Sequence, residues 1–524
     1  MKFRKGLLVS TGLLIVGLGI GSQLGQWSSF SNNHLIVQAL AQEVKKDQTN
    51  ADKSAETYRL LTLFGDVFER VRANYVEPVS DRDLITNALN GMLTGLDPHS
   101  SYMTEKQYHN MEIQTKGEFG GLGLEVQEED GHIKVVSPID GTPAARAGIK
   151  AGDYIIAIDG KNIDGTPLNA AVDKMRGKPN TPITLTLLRL KTPKPIKVTM
   201  TREIIHIQVI KSALYGKIGY IRISQFNEET EKGMLKAYEK LQKEAGGKLA
   251  GLIIDLRNDP GGLLDQAIAV SRDFIKDGAI VSTKARDPKE SQRWNASGKD
   301  ITNGLPIVVL TNGGSASASE IVSGALQDHR RAIILGGKTF GKGSVQSIMP
   351  IPGNGAIRLT IARYYTPSGR SIQGLGITPD IPVQDSYDEP EFSIREADLD
   401  HIIKNEGGNK EKPPVRNDLP AIAGSIPKQP PKNWPKYDYA NPATDFQLQQ
   451  GLKVVRSMAG LPVEKDTPIP VIKPDPVMHP EVWKKNKDQS KPLPPAAKTP
   501  KPANENKPAN NEQKPPQNNV PAAH

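Results

Sequence analysis

Cysteine is absent from the 524 residues, which excludes disulfides, thiolate catalysis and cysteine-ligated zinc. Histidine is scarce, nine in all. His99, His109, His132, His206, His329 and His401 lie between the chain's ends, none inside a recognisable triad motif. No H-E-x-x-H occurs, so zinc hydrolysis lacks sequence support. G-x-S-x-G is missing as well, and with it the nucleophile elbow of the α/β hydrolases. Beyond the first two dozen residues no stretch is long and apolar enough to span a membrane. A large charge of one sign is also lacking: 67 basic residues against 58 acidic leave +9, spread along the chain rather than clustered, which is no footprint for nucleic acid.

What is present suggests several domains. The length leaves room for two to four, and 48 Gly with 41 Pro imply much loop or linker. Lys2, Arg4 and Lys5 precede "GLLVSTGLLIVGLGIG", and "Ala39-Leu40-Ala41" offers a cleavage site before Gln42, although farther from the apolar run than usual. Residues 1–41 therefore read as a cleaved signal peptide or an uncleaved membrane anchor. Either places the rest of the chain outside the cytoplasm. Residues 42–115 show a helical period, with Tyr58, Leu61, Phe64, Phe68, Val71 and Tyr75 at three- and four-residue steps; the simplest expectation is that this stripe is core. Residues 116–202 change to short alternating runs bounded by turns. In 203–384 strands such as "GLIIDLR", "PIVVLT" and "RAIILG" alternate with helical stretches, the pattern of an α/β layer architecture. Within 385–460 "DFQLQQGLKVVRSMAG" is an amphipathic helix. Residues 461–524 are rich in Pro, Lys and Asn, cannot bury a core and are expected to be disordered.

The stretch "NGGSASASEIVSGALQD", 312–328, presents serines at every second position between a buried strand and a helix. A side chain on such a turn sits at the helix N-terminus, where free N–H groups and the positive dipole end stabilise an oxyanion. The same residues also fit a capping box, Ser317-Ala318-Ser319-Glu320, in which the serine only satisfies a helix N–H. His329 lies at the far end of the helix, about 18 Å away at ~1.5 Å per residue, and cannot serve as base. "GGKTFGKGSVQ", 336–346, instead brings two lysines among glycines, and a desolvated lysine can act as general base. The stretch nearly matches a phosphate loop, but Gly343 stands where Ser or Thr must hold magnesium, and the alternative frame finds Ala332 in place of Gly.

Together with "RLTIARYYTPSGRSIQGLGITPDIPV", these motifs resemble those of the carboxy-terminal processing peptidases, Ser-Lys serine proteases with an embedded PDZ domain. The resemblance spans about 55–400. It implies a multidomain α/β fold: an α/β sandwich protease core of the crotonase/Clp-like type, an embedded PDZ β-sandwich or barrel, and flanking helices. It also implies Ser317 as nucleophile, Lys342 as base, Gln346 as supporting amide, and an oxyanion hole from the N–H groups of Ala318 and Gly262, with Gly261 as the alternative. No cofactor or metal is implied, and Glu320 is expected to be a helix-end group. Gly121, Leu122, Gly123 and Leu124 match the PDZ loop and strand that capture a peptide's C-terminal carboxylate, the peptide adding as an edge strand. Arg176, late in the PDZ helix, is a candidate sensor that reports occupancy to the protease core; a solvated arginine is the alternative. The expected partners are protein or peptide substrates with free C-termini, with room for an adaptor, inner-membrane association and homo-oligomers, in a bacterial periplasm or cell envelope. A scaffold with an inert protease-like half remains the rival of another class.

Overall fold

The computed structural model describes residues 31–463 apart from 191, 193, 388–393, 406–414 and 439–440. The apolar run at 6–21 and the chain from 464 on, which holds nearly all of the Pro-rich tail, lie outside the described residues. Among the described residues no helix is long and apolar enough to cross a membrane. The described residues form two compact units: those of 31–109 with 345–362 and 399–403, and those of 110–344, 363–398 and 404–463.

In the first unit the helix Ser31–Asn74 is followed by Asp81–Thr94. The second begins where Ser80 accepts the Asp83 N–H at 3.1 Å, with Asp81 and Asp83 in the first turn complementing the dipole. Strand Ser101–Met103 pairs antiparallel with residues 356–358. The apolar stripe of the long helix departs from the expectation that it is core. Tyr58 is 72% exposed, Leu61 60%, Phe64 48% and Tyr75 58%, and Phe68 alone among the six is half-buried. The segment is helical as its period implies, and among the described residues this face is largely exposed.

The second unit carries two main sheets, besides a two-strand ribbon and the antiparallel pair of Ala279–Ala285 with Arg293–Asn295. The smaller is a five-strand antiparallel path, Leu124–Glu129, His132–Pro138, Tyr154–Ile158, Pro182–Leu188 and Ile196–Thr201. Its first hairpin turns on Asp130 and Gly131, both at positive φ, the two-residue Asp-Gly turn whose twist matches the strands. Alternate residues Ile183, Leu185 and Leu187 point inward with Ile133, Val135 and Ile155, and helix Leu168–Met175 covers them with Ala171 and Met175.

The larger sheet runs in the order Ile210–Tyr215, Ile218–Ile223, Gly251–Asp255, Ile307–Thr311, Ile333–Gly336, Ile381–Pro382. The first pair is antiparallel and the rest parallel. Its central strands are buried on both faces and read as continuous apolar runs for that reason. On one face Ile253, Val308, Leu310, Ile333 and Leu335 pack against Phe446, Leu448, Leu452 and Val455 of helix Phe446–Met458. Each such side chain contributes roughly 1.5–3 kcal/mol by leaving water. Three loops leave the C-terminal ends of adjacent parallel strands: after Asp255, after Thr311 and after Gly336. In open α/β sheets ligands bind at that edge.

Candidate active site

All four serines of 315–323 are buried, but they are held differently. The Ser315 hydroxyl donates to the Leu256 carbonyl at 2.7 Å, Ser319 to the Asp259 carbonyl at 3.1 Å, and Ser323 to the Ser319 carbonyl at 2.7 Å. Ser315 and Ser319 thus tie this turn to the loop after Asp255, while Ser323 bonds back within its own helix. Ser317 retains 6% exposure and shares a side-chain hydrogen bond with Tyr364, whose hydroxyl burial pushes up to about 12. A helix-capping residue normally has extended backbone. Ser317 instead has φ 54° and ψ −108°. For a side chain with a Cβ this conformation costs on the order of 1–3 kcal/mol, and such strain clusters at working sites. A plain cap would not need it.

The loop after Asp255 closes against this turn. Asn258 N–H donates to Asn312 Oδ1 and Asn312 Nδ2 donates to Asn258 Oδ1, each at 2.9 Å. Gly261, at φ 95°, lies so close that a Cβ there would come 2.8 Å from the Ala318 nitrogen and 2.9 Å from Ser317 Cβ. Geometry also separates the two glycines. The Gly261 N–H is taken by Asp259 Oδ1 at 2.8 Å. The Gly261 N–H is thereby engaged within its own loop. Gly262 bridges Phe226 through its neighbours, Phe226 N–H to the Gly261 carbonyl and Leu263 N–H to the Phe226 carbonyl. Asp259 is buried, and burial pushes its carboxyl up to about 7 against the Gly261 hydrogen bond.

Glu320 joins the serine turn to the lysine loop. Its Oε2 accepts the Ser317 N–H at 2.8 Å and the Lys342 N–H at 2.9 Å. Its Oε1 accepts the Gly341 N–H at 2.7 Å and the Thr339 hydroxyl at 2.5 Å. Burial pushes this carboxyl up to about 7, opposed by those hydrogen bonds. The expectation that Glu320 is a helix-end group holds only for its first bond; the other three lie 19 to 22 residues away. The half-buried Lys342 donates from Nζ to the Ser344 carbonyl at 3.2 Å. Gln346 belongs to the first unit, where its amide donates to Thr360 Oγ1 at 3.1 Å, and Thr360 donates to Asp97 at 3.0 Å.

In the smaller domain the carbonyl of Leu122 accepts from Ala144 N–H at 3.0 Å and that of Gly123 from Ile139 N–H at 2.9 Å. These bonds fix the loop ahead of the half-buried Leu124, while Gly121 pairs with Glu203 in the two-strand ribbon that enters and leaves the domain. Arg176 caps the end of helix Leu168–Met175, its guanidinium 4.8 Å from the centre of the Phe119 ring on that ribbon. It is not a freely solvated side chain.

Sequence reading did not single out Tyr364, Asp259 or the long-range bonds of Glu320. "SASE" signals a cap, and nothing local says that the same carboxylate also reaches residues 339–342. Among the described residues no cluster of side chains could hold a metal ion.

A model of peptidase family S41 matches residues 217–383, a PDZ domain model 134–189, and a model of the N-terminal domain of the activating protease CtpB residues 16–107. A carboxy-terminal-processing protease of Bartonella bacilliformis is 52% identical over 432 residues, 82% of this chain and 94% of that protein. A probable CtpA-like serine protease of Staphylococcus aureus is 36% identical over 342 residues, 65% of this chain and 66% of that one. Among solved structures, a photosystem II D1 C-terminal processing protease is 29% identical, with a TM-score of 0.36 over 62% of this chain and 92% of that one. The chain belongs to peptidase family S41, as a carboxy-terminal-processing serine peptidase with a PDZ domain.

Proposed function

We propose that Ser317 and Lys342 form the catalytic dyad of an exported endopeptidase that takes hold of substrate C-termini through its PDZ domain. The observation carrying this reading is the pair of backbone N–H groups, those of Ser317 and Lys342, bound to one oxygen of a buried glutamate, together with the strained backbone of Ser317. The neutral Lys342 amine accepts the Ser317 proton as Oγ attacks the scissile carbonyl. The N–H groups of Ala318 and Gly262 receive the developing oxyanion. The ammonium then returns the proton to the leaving amide nitrogen, and water hydrolyses the acyl-enzyme. The family resemblance makes Gln346 the supporting amide, a group that adds no charge to favour ammonium.

Upstream of the chemistry, the loop Gly121–Leu124 binds the terminal carboxylate and the peptide adds as an edge strand. Arg176, stacked on Phe119 at the domain's entry ribbon, relays occupancy toward the protease core. The basic and apolar N-terminus directs the chain to the periplasm or cell envelope, as a cleaved signal or as an inner-membrane anchor. The exposed apolar stripe Tyr58–Tyr75 supports self-association. An adaptor protein is compatible with substrate delivery. The test is hydrolysis of a peptide with a free C-terminus by wild type, Ser317→Ala and Lys342→Ala. Loss in both variants is expected, and equal rates for all three would end the enzyme assignment to this dyad.

A further inference from the structure

The loop that carries Lys342 has a second set of attachments, made by Arg395 and Glu396 together with Gln373 and Gly374. Arg395 donates from Nη1 to the carbonyls of Lys338 at 3.2 Å and Thr339 at 2.8 Å, and the Glu396 N–H donates to the Phe340 carbonyl at 3.2 Å. Two consecutive residues thus hold three consecutive carbonyls just before the lysine. The Glu396 side chain, 1% exposed, accepts from Gln373 Nε2 at 2.7 Å. Gln373, equally buried, turns its Oε1 to the N–H of Gly343 at 3.0 Å. On the other side of the lysine, the Gly374 N–H donates to the Gly341 carbonyl at 2.8 Å. Space is tight: a Cβ at Gly343 would stand 2.4 Å from the Gln373 nitrogen.

A glutamine amide can turn end for end, and its neighbours decide which end faces which way. Here Gly343 N–H needs an acceptor. Glu396, itself an acceptor, requires the Nε2 end and so leaves Oε1 for Gly343. Gly343 and Glu396 thus demand the same orientation from opposite ends of the amide, and Glu396 anchors the end remote from Lys342.

We propose that Glu396 is a positioning residue of the peptidase reaction, setting the Gln373 amide and, through Gly343, the placement of the Lys342 side chain. This rests on the reading of Lys342 as the base. The experiment uses the full-length protein and a peptide substrate, comparing wild type, Gln373→Glu, the double variant Gln373→Glu/Glu396→Gln, and Lys342→Ala, with melting curves for each. Gln373→Glu sets two carboxylates face to face, whereas in the double variant the new carboxylate accepts from both Gly343 N–H and the new amide. Expected is a fall of kcat by about ten- to hundredfold in Gln373→Glu with KM little changed, and a displaced pH midpoint of kcat. The double variant should recover both the rate and the midpoint. Wild-type kcat in Gln373→Glu, or a double variant as slow as the single, overturns the proposal. Lys342→Ala separates the two readings: if it is inactive while Gln373→Glu is normal, only the positioning role falls; if it is fully active, the base assignment falls and the positioning role with it.

Discussion

Ser317 and Lys342 are tied to the same atom: Oε2 of Glu320 accepts the backbone N–H of the first at 2.8 Å and of the second at 2.9 Å. A helix-capping interaction has been extended into a clamp between two loops that lie 25 residues apart in sequence.

Glu320→Gln should damage this clamp, because four donors converge on the carboxylate and an amide nitrogen would face at least one of them. We expect kcat to fall on the order of 10²-fold, as for other displacements of about 1 Å in reacting groups, with KM little affected. Steady-state kinetics on a peptide substrate would show it.

The rate should rise toward alkaline pH, since a lysine base works only when neutral. Glu320, held near 7, ionises in the same range and makes the clamp complete only above it. A profile flat between about pH 6 and 9 would contradict a lysine base.

Stability should run the other way. Burial raises Glu320 from 4.5, and Asp259 and Asp273 from 3.8, to about 7. In that window the folded state binds more protons than the unfolded chain, so these groups' contribution is complete below about pH 4 and is lost as pH rises through about 7. The urea midpoint should be higher at pH 5 than at pH 8. Asp273→Asn should flatten the difference by on the order of 1–2 kcal/mol, allowing for its partial exposure.

The buried Arg257 guanidinium bonds Asp255 at 2.6 and 2.9 Å and Asp445 at 2.7 and 2.8 Å, just before the loop that ends in Gly262. Asp445 also caps helix Phe446–Met458 by accepting from Leu448 N–H at 3.0 Å. Asp445→Ala should cost at least about 2 kcal/mol and lower kcat, because it loosens both the helix and the loop. Leu452→Ala, buried in the same helix, should cost about 2–5 kcal/mol while the folded enzyme keeps its kcat. Denaturant melts and kinetics on the two variants separate these effects.

Leu61→Glu/Phe64→Glu should lower the oligomeric state without lowering the melting temperature, since both side chains are already exposed within the chain. Sedimentation analysis tests this; an unchanged mass would remove the stripe as an association surface.

The sequence by itself determined the α/β alternation of the core, the turn-bounded strands of the PDZ domain and the family, because these depend on periods and motifs carried within short windows. The strand Ile307–Thr311, the Ser-rich turn and the helix Ala318–Asp328 follow one another in a pattern that local chemistry reads directly. Tertiary structure alone decided the rest. It consumed Ser315 and Ser319 in contacts with the loop after Asp255, engaged the Gly261 N–H with Asp259, and left the stripe from Tyr58 to Tyr75 largely exposed among the described residues. It also extended Glu320 from a cap to a clamp and made Glu396 a buried partner of Gln373. Each of these turns on which distant backbone group arrives at a given side chain, a matter of three-dimensional closure that leaves no trace in local spacing.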